Sequence, residues 1–182
     1  MKKGKLIYFL IIAVIVIVTA CSSAKVENAS GNNSDKAAEN TTYNLSEGMT
    51  MPNVVVETNN GETFDLSKTE KPVLINFWAT WCPPCKAEMP GIQNAYEEYK
   101  DKMDFILIDE GEPKSDVDEF IKEATYTFPV GYDEDNAYGI MFNINAIPTT
   151  YIVGKDKTIK KYILGSTEEE TFKEYIESVI NE

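Results

Sequence analysis

The chain has 182 residues, 43% of them apolar and 26% charged, an ordinary globular composition with room for one folded domain plus accessory segments. Its formal charge is −13 and all 17 basic residues are lysine, which argues against nucleic acid or an anionic membrane face as partner. With no histidine and no arginine it has no Ser-His-Asp triad, no Cys-His pair, no histidine-held metal and no guanidinium clamp for phosphate or peroxide; carboxylates, lysines, hydroxyls and three cysteines remain.

Residues 1–20 read as an export signal. Lys2, Lys3 and Lys5 form a positive head, and residues 6–18 are an uninterrupted apolar run of 13, short of the ~20 that cross a bilayer as a helix. Val18-Thr19-Ala20-Cys21 resembles the lipobox of bacterial lipoproteins, where cleavage leaves the cysteine as a lipid-bearing N-terminus. An uncleaved anchor or a plain signal peptide are the alternatives, and all three place the chain outside the cytoplasm. Removal of the signal would leave 14 Lys against 30 acids, a formal −16. Residues 21–43, Cys21 and a stretch rich in Ser, Asn, Ala, Glu and Lys, are expected to be the lipidated cysteine and a tether too polar to bury a core. Residues 44–182 form the expected domain.

Within that domain, residues 54–57 and 62–66 flank Asn59-Asn60-Gly61 and predict a hairpin. Residues 73–78 are an apolar strand. Residues 82–100 predict a helix with Ile92, Ala95, Tyr96 and Tyr99 on one face, kinked at Pro90, which has no N–H for the carbonyl one turn back. Residues 105–108 predict a buried strand. Ser115 is expected to cap a helix carrying Val117, Phe120, Ile121 and Ala124, with Asp118 completing a capping box. A short strand over 128–132 and a short helix over 136–142 follow. Residues 149–153 and 159–164 flank Gly154-Lys155-Asp156-Lys157 as a second hairpin, and Ser166 or Thr167 is expected to cap a last helix that turns Phe172, Tyr175, Ile176, Val179 and Ile180 inward. Strands alternating with helices, closed by a hairpin and a helix, predict an α/β fold with a mixed central sheet covered on both faces.

The chemistry concentrates at Trp81-Cys82-Pro83-Pro84-Cys85, between the apolar strand and the helix. Unpaired N–H groups and the macrodipole at a helix N-terminus favour a thiolate. Two intervening residues within one turn let the two sulfurs form a disulfide. Cys82, at the helix end, is expected to be exposed and to attack first. Cys85, one turn in, is expected to be shielded and to resolve the mixed disulfide. The prolines are tolerated in the first helical turn and stiffen the loop. Zinc would need four ligands, and the chain has no second cysteine pair and no histidine; an inert structural disulfide is the remaining alternative, and a domain of this size does not need one.

Residues 76–90, Asn-Phe-Trp-Ala-Thr-Trp-Cys-Pro-Pro-Cys-Lys-Ala-Glu-Met-Pro, closely resemble the active-site segment of the TlpA/ResA-like thioredoxin-fold proteins, and Ala146-Ile147-Pro148-Thr149-Thr150 looks like that family's cis-proline segment. The helix expected near residues 115–124 is similar to the family's central insertion. The resemblance spans residues 45–182. It implies a thioredoxin-like fold with an N-terminal β-hairpin and a central helical insertion. It also implies a redox-active Cys82–Cys85 disulfide, with no cofactor and no metal. Pro148 would be cis beside the cysteines, and Ile147 would offer its backbone to an extended substrate segment, with Trp81, Pro83 and Pro148 also meeting substrate. Glu88 is implicated in proton handling near the thiols, with a solvated helix carboxylate as the alternative. Asn76 departs from thioredoxins proper, which carry a buried aspartate there; Asn cannot ionise, which shifts proton relay toward Glu88 or water. Trp78 and Trp81 pack around the site, and Lys86 is either a local positive charge or a solvated side chain.

The resemblance further implies a monomer that reduces disulfides in exported proteins. Candidate substrates are apocytochrome c and an oxidised methionine sulfoxide reductase, and a CcdA/DsbD-type membrane thiol transporter would be the electron donor. The alternative is an oxidase that donates its disulfide to secreted proteins. The absence of His between the cysteines favours reduction, although direction rests on reduction potential. A copper carrier, expected to show CxxxC and a His, is the remote third reading.

Overall fold

The computed structural model describes residues 42–182. The export signal, Cys21 and the tether expected ahead of the domain lie outside the described residues, apart from the tether's last two positions. Strands β1 (Val55–Glu57) and β2 (Thr63–Asp65) pair antiparallel as the hairpin expected around Asn59-Asn60-Gly61, and a 3₁₀ turn (Leu66–Lys68) follows. The main sheet contains β3 (Val73–Trp78), β4 (Asp104–Asp109), β5 (Val130–Gly131), β6 (Thr149–Val153) and β7 (Ile159–Leu164). Their spatial order is β5-β4-β3-β6-β7. The helices are α1 (Pro83–Tyr99), α2 (Lys114–Ala124), α3 (Ala137–Met141) and α4 (Glu169–Ile180). This is a thioredoxin-like α/β fold with a mixed central sheet, as the alternation of elements implied.

Strand β3 decides the architecture. All six of its residues are buried, parallel to β4 on one side and antiparallel to β6 on the other. Side chains alternate along a strand, so β3 supplies two cores. Leu74 and Trp78 join Met89, Ile92, Ala95 and Tyr99 of α1, Val117 and Ile121 of α2, and Phe172, Ile176 and Val179 of α4. Val73, Ile75 and Phe77 join Val56 of the hairpin, Leu66, Tyr151 and Phe142. Gly131 of β5 is required by the second packing, since a Cβ there would lie 2.6 Å from Cγ2 of Val56.

The predicted boundaries hold closely, but the caps do not. Helix α2 starts at Lys114 after Pro113, and neither Ser115 nor Asp118 caps it. The orphan N–H of Lys114 is instead taken by Oε1 of Glu134 at 3.0 Å, from the loop after β5. Asp118 accepts from the Tyr132 hydroxyl, and Ser115 donates to Asp116. Helix α4 starts at Glu169 with Glu168 in the N-cap position, so Ser166 and Thr167 fall ahead of the cap and neither caps it; the Thr167 N–H donates to Glu88. Its first-turn Glu169 and Glu170 complement the dipole instead. Asp133 caps α3 across three N–H groups, those of Ala137, Tyr138 and Gly139 at 2.9, 2.9 and 3.3 Å. Helix α1 runs without interruption through Pro90.

Candidate active site

Cys82 and Cys85 form a disulfide with Cα atoms 5.3 Å apart at the start of α1. Cys82 is the N-cap: its Sγ accepts the N–H of Cys85 at 3.2 Å, so one of the helix's orphan donors points at the sulfur expected to attack first. Pro83 and Pro84 fill the first helical positions, where a missing N–H costs nothing.

The second half of the site comes from β6. Because β3 and β6 run antiparallel, with Phe77 opposite Thr149, the end of β3 and the start of β6 lie at one edge of the sheet. The Ile147–Pro148 peptide is cis and immediately precedes β6. The Ile147 carbonyl oxygen lies 3.7 Å from Cys82 Sγ. Pro148 is buried, Ile147 half-buried, and Pro83 and Pro84 exposed; Trp81 is 64% exposed. The exposure expected for Cys82 is not found. It is only 2% exposed, against 1% for Cys85, because in the oxidised state its sulfur is covered by its own disulfide partner and the Ile147 carbonyl.

Beneath the cysteines, Asn76 faces α1, on the same side of β3 as Leu74 and Trp78. Its amide donates to Oε1 of Glu88 at 3.0 Å and to the Thr150 hydroxyl at 2.8 Å. Oε2 of Glu88 accepts the Thr167 N–H at 3.1 Å. Glu88 is therefore a buried carboxyl, 4% exposed, which removes the solvated-carboxylate alternative. Burial raises its pKa to about 7, against the smaller lowering effect of its bonds to Thr167 and Asn76. One turn after Cys85 in α1, it also lines a cleft of about 260 Å³ with Ala87, Gly91, Ser166 and Thr167. Trp78 is fully buried against Phe120 of α2, at 5.5 Å between rings, and Lys86 is exposed.

Sequence reasoning missed an acidic group at the end of β4. Asp109 is fully buried and its pKa is raised to about 8, by burial first and then by the neighbouring Glu112 carboxylate and Asp133. Burial, with Asp133 alongside, raises Glu110 to about 7, and burial also moves Asp133 upward. The available signal was Ile108-Asp109-Glu110-Gly111-Glu112, three acids closing an apolar strand where ligands of α/β sheets commonly gather. Among the described residues no group of three or more Cys, Asp and Glu side chains is arranged to hold a metal ion.

The chain is similar to known proteins. A family model described as Redoxin matches residues 46–179. The thiol-disulfide oxidoreductase ResA of Bacillus subtilis (strain 168) is 34% identical over 134 residues, covering 72% of this chain and 75% of that protein. A ResA of Bacillus cereus is 29% identical over 181 residues, covering 98% of this chain and 99% of that protein. The crystal structure of StoA from Bacillus subtilis superposes with a TM-score of 0.63 at 26% identity, over 69% of this chain and 96% of that one.

Proposed function

We infer that this chain, which belongs to the Redoxin family and is a ResA-like thiol-disulfide oxidoreductase, works as a membrane-anchored reductant of disulfides in exported proteins. The observation that carries the chemistry is Cys82 Sγ seated on the Cys85 N–H at the start of α1, with the Ile147–Pro148 turn beside it. In the reduced protein the Cys82 thiolate attacks one sulfur of a substrate disulfide. A mixed disulfide forms and the first substrate thiolate leaves, taking a proton. Cys85, deprotonated, then attacks Cys82 Sγ; the Cys82–Cys85 disulfide forms and the second substrate sulfur leaves as a thiolate that takes a proton from water. Two electrons pass to the substrate. Glu88 accepts the Cys85 proton and passes it out through the cleft at Ser166 and Thr167. A buried carboxyl with a pKa of about 7 suits this role, because it exchanges protons readily at neutral pH. Trp81, Pro83, Ile147 and Pro148 form the surface that meets the substrate, with an extended segment pairing to the backbone at Ile147.

Export and anchoring rest on the sequence, through the residue 1–20 signal and lipidation at Cys21. On that basis the protein is a monomer tethered to the outer face of the cytoplasmic membrane, re-reduced by a CcdA/DsbD-type thiol transporter. Its substrates are apocytochrome c or an oxidised methionine sulfoxide reductase. The test is a Cys85→Ser variant expressed with its signal intact: it should accumulate a mixed disulfide through Cys82, whose partner is identified by mass spectrometry. Cys82→Ser should abolish reduction of insulin disulfides, and full activity in that variant would refute the assignment. A reduction potential well above that of extracytoplasmic dithiols would instead assign the protein as a disulfide donor.

A further inference from the structure

Glu112 takes no part in the exchange steps, yet it holds the turn that delivers the nucleophile. Thr80 stands two residues before Cys82, in a turn closed by the Cys82 N–H on the Ala79 carbonyl at 3.1 Å. Both donors of Thr80 go to the Glu112 carboxylate: its N–H to Oε2 at 2.6 Å and its hydroxyl to Oε1 at 2.5 Å. The Glu110 N–H adds a bond to the Trp78 carbonyl at 2.9 Å. The segment after β4 is thus joined to the segment after β3 on the approach to Cys82. Glu112 is itself held from behind, its N–H donating to Oδ2 of the fully buried Asp109 at 3.0 Å.

We propose that Glu112 is a positioning residue for Cys82: by gripping both donors of Thr80 it fixes the turn that sets Cys82 Sγ over the Cys85 N–H. The proposal rests on the ResA-like reading and deepens it. A sulfur that drifts from that N–H loses the donor that favours its thiolate, so loosening the grip should make the thiol harder to ionise. Charge alone predicts the reverse, because removing a nearby carboxylate favours a thiolate. The sign of the change therefore separates positioning from simple electrostatics. The other ionisable groups bordering the site are Glu88 and Lys86 on α1, Asp109 and Glu110 at the end of β4, and Asp133 in the loop before α3, and the test leaves all five in place.

The experiment measures the pH dependence of iodoacetamide alkylation at Cys82 in the reduced protein, read by peptide mass mapping. It needs neither a substrate nor a redox direction, so its outcome is independent of whether the protein proves to be a reductant or a donor. Glu112→Ala should move the alkylation midpoint upward and slow the reaction at neutral pH about three- to tenfold, as the thiolate fraction falls. Thr80→Val, close in shape and unchanged in charge, should shift it the same way; Thr80→Ser should stay within about twofold of the parent. Because Thr80→Val and Glu112→Ala cut the same link, their combined effect should fall short of the sum. A downward midpoint in Glu112→Ala would leave only a charge effect and overturn the proposal. So would an unchanged profile in Thr80→Val with native circular dichroism, or full additivity. Should Glu112→Ala fail to fold, Thr80→Val and its serine rescue decide the matter alone.

Discussion

Glu88 ties stability to the proton transfer proposed for it. The folded protein holds its proton to about pH 7, whereas the unfolded chain releases it near 4.5. The folded state binds that proton more tightly, so its contribution is fully favourable below about 4.5 and is lost as pH rises toward 7. The shift is worth roughly 3 kcal/mol at most. Glu88→Gln should therefore flatten the loss of stability between pH 5 and 7.5, measured by urea denaturation at a series of pH values; an unchanged slope would show that the carboxyl is not the titrating group. In kinetics, the inflection near pH 7 in the rate of insulin reduction should vanish in the same variant, with a loss of about 10²-fold at neutral pH if Glu88 moves the Cys85 proton. The residue types of this site were readable from the sequence, because a CxxC at a strand-to-helix junction and an X-Pro before a β-rich run have local signatures. The burial of Glu88 was not. It depends on Asn76 from β3 and Thr167 from the loop before α4, residues 12 and 79 positions away.

At the scale of elements, strands and helices were legible because periodicity is a local property, and β6 and β7 fall where the sequence places them. The caps were not legible, since the groups that satisfy the helix ends come from other segments: Glu134 for α2, Asp133 for α3. Helix α2 also shows a local cost. It ends at Thr125 with φ 60° and ψ 30°, a left-handed conformation that suits glycine and strains a β-branched residue. The Thr125 N–H still reaches the Ile121 and Lys122 carbonyls, so the backbone form is one that glycine would keep. Thr125→Gly is expected to raise stability by about 1 kcal/mol, read from the denaturation midpoint, with thiol-disulfide exchange activity unchanged; a loss of stability would mean that the threonine side chain offsets its strain.

Across the whole molecule the buried acids act together. Glu88 and Glu110, each raised to about 7, and Asp109, raised to about 8, all hold protons more tightly in the fold than in the unfolded chain. Their joint contribution is lost as pH climbs from about 4.5 to 8. The carboxylates shifted the other way, Asp65, Glu97, Glu98, Asp156 and Glu169, lie at or near the surface, and their contributions disappear only in more acidic solution. The domain should therefore be most resistant to urea near pH 5 and weaken steadily toward pH 8.5; a midpoint that rises over that interval would contradict the buried-acid account. The pairing of β3 with β6 has a consequence of another kind. Cys82 and the Ile147 carbonyl beside it are 65 residues apart in the chain, yet one antiparallel ladder brings them together. Sliding that ladder by a single position would carry that carbonyl about 3.4 Å along the sheet and turn every side chain of β6 to the opposite face. Any intermediate in which β6 zips out of step is thus inert as well as misfolded, and restoring activity requires unzipping the strand, because no adjustment of side chains can bring the two halves back into line.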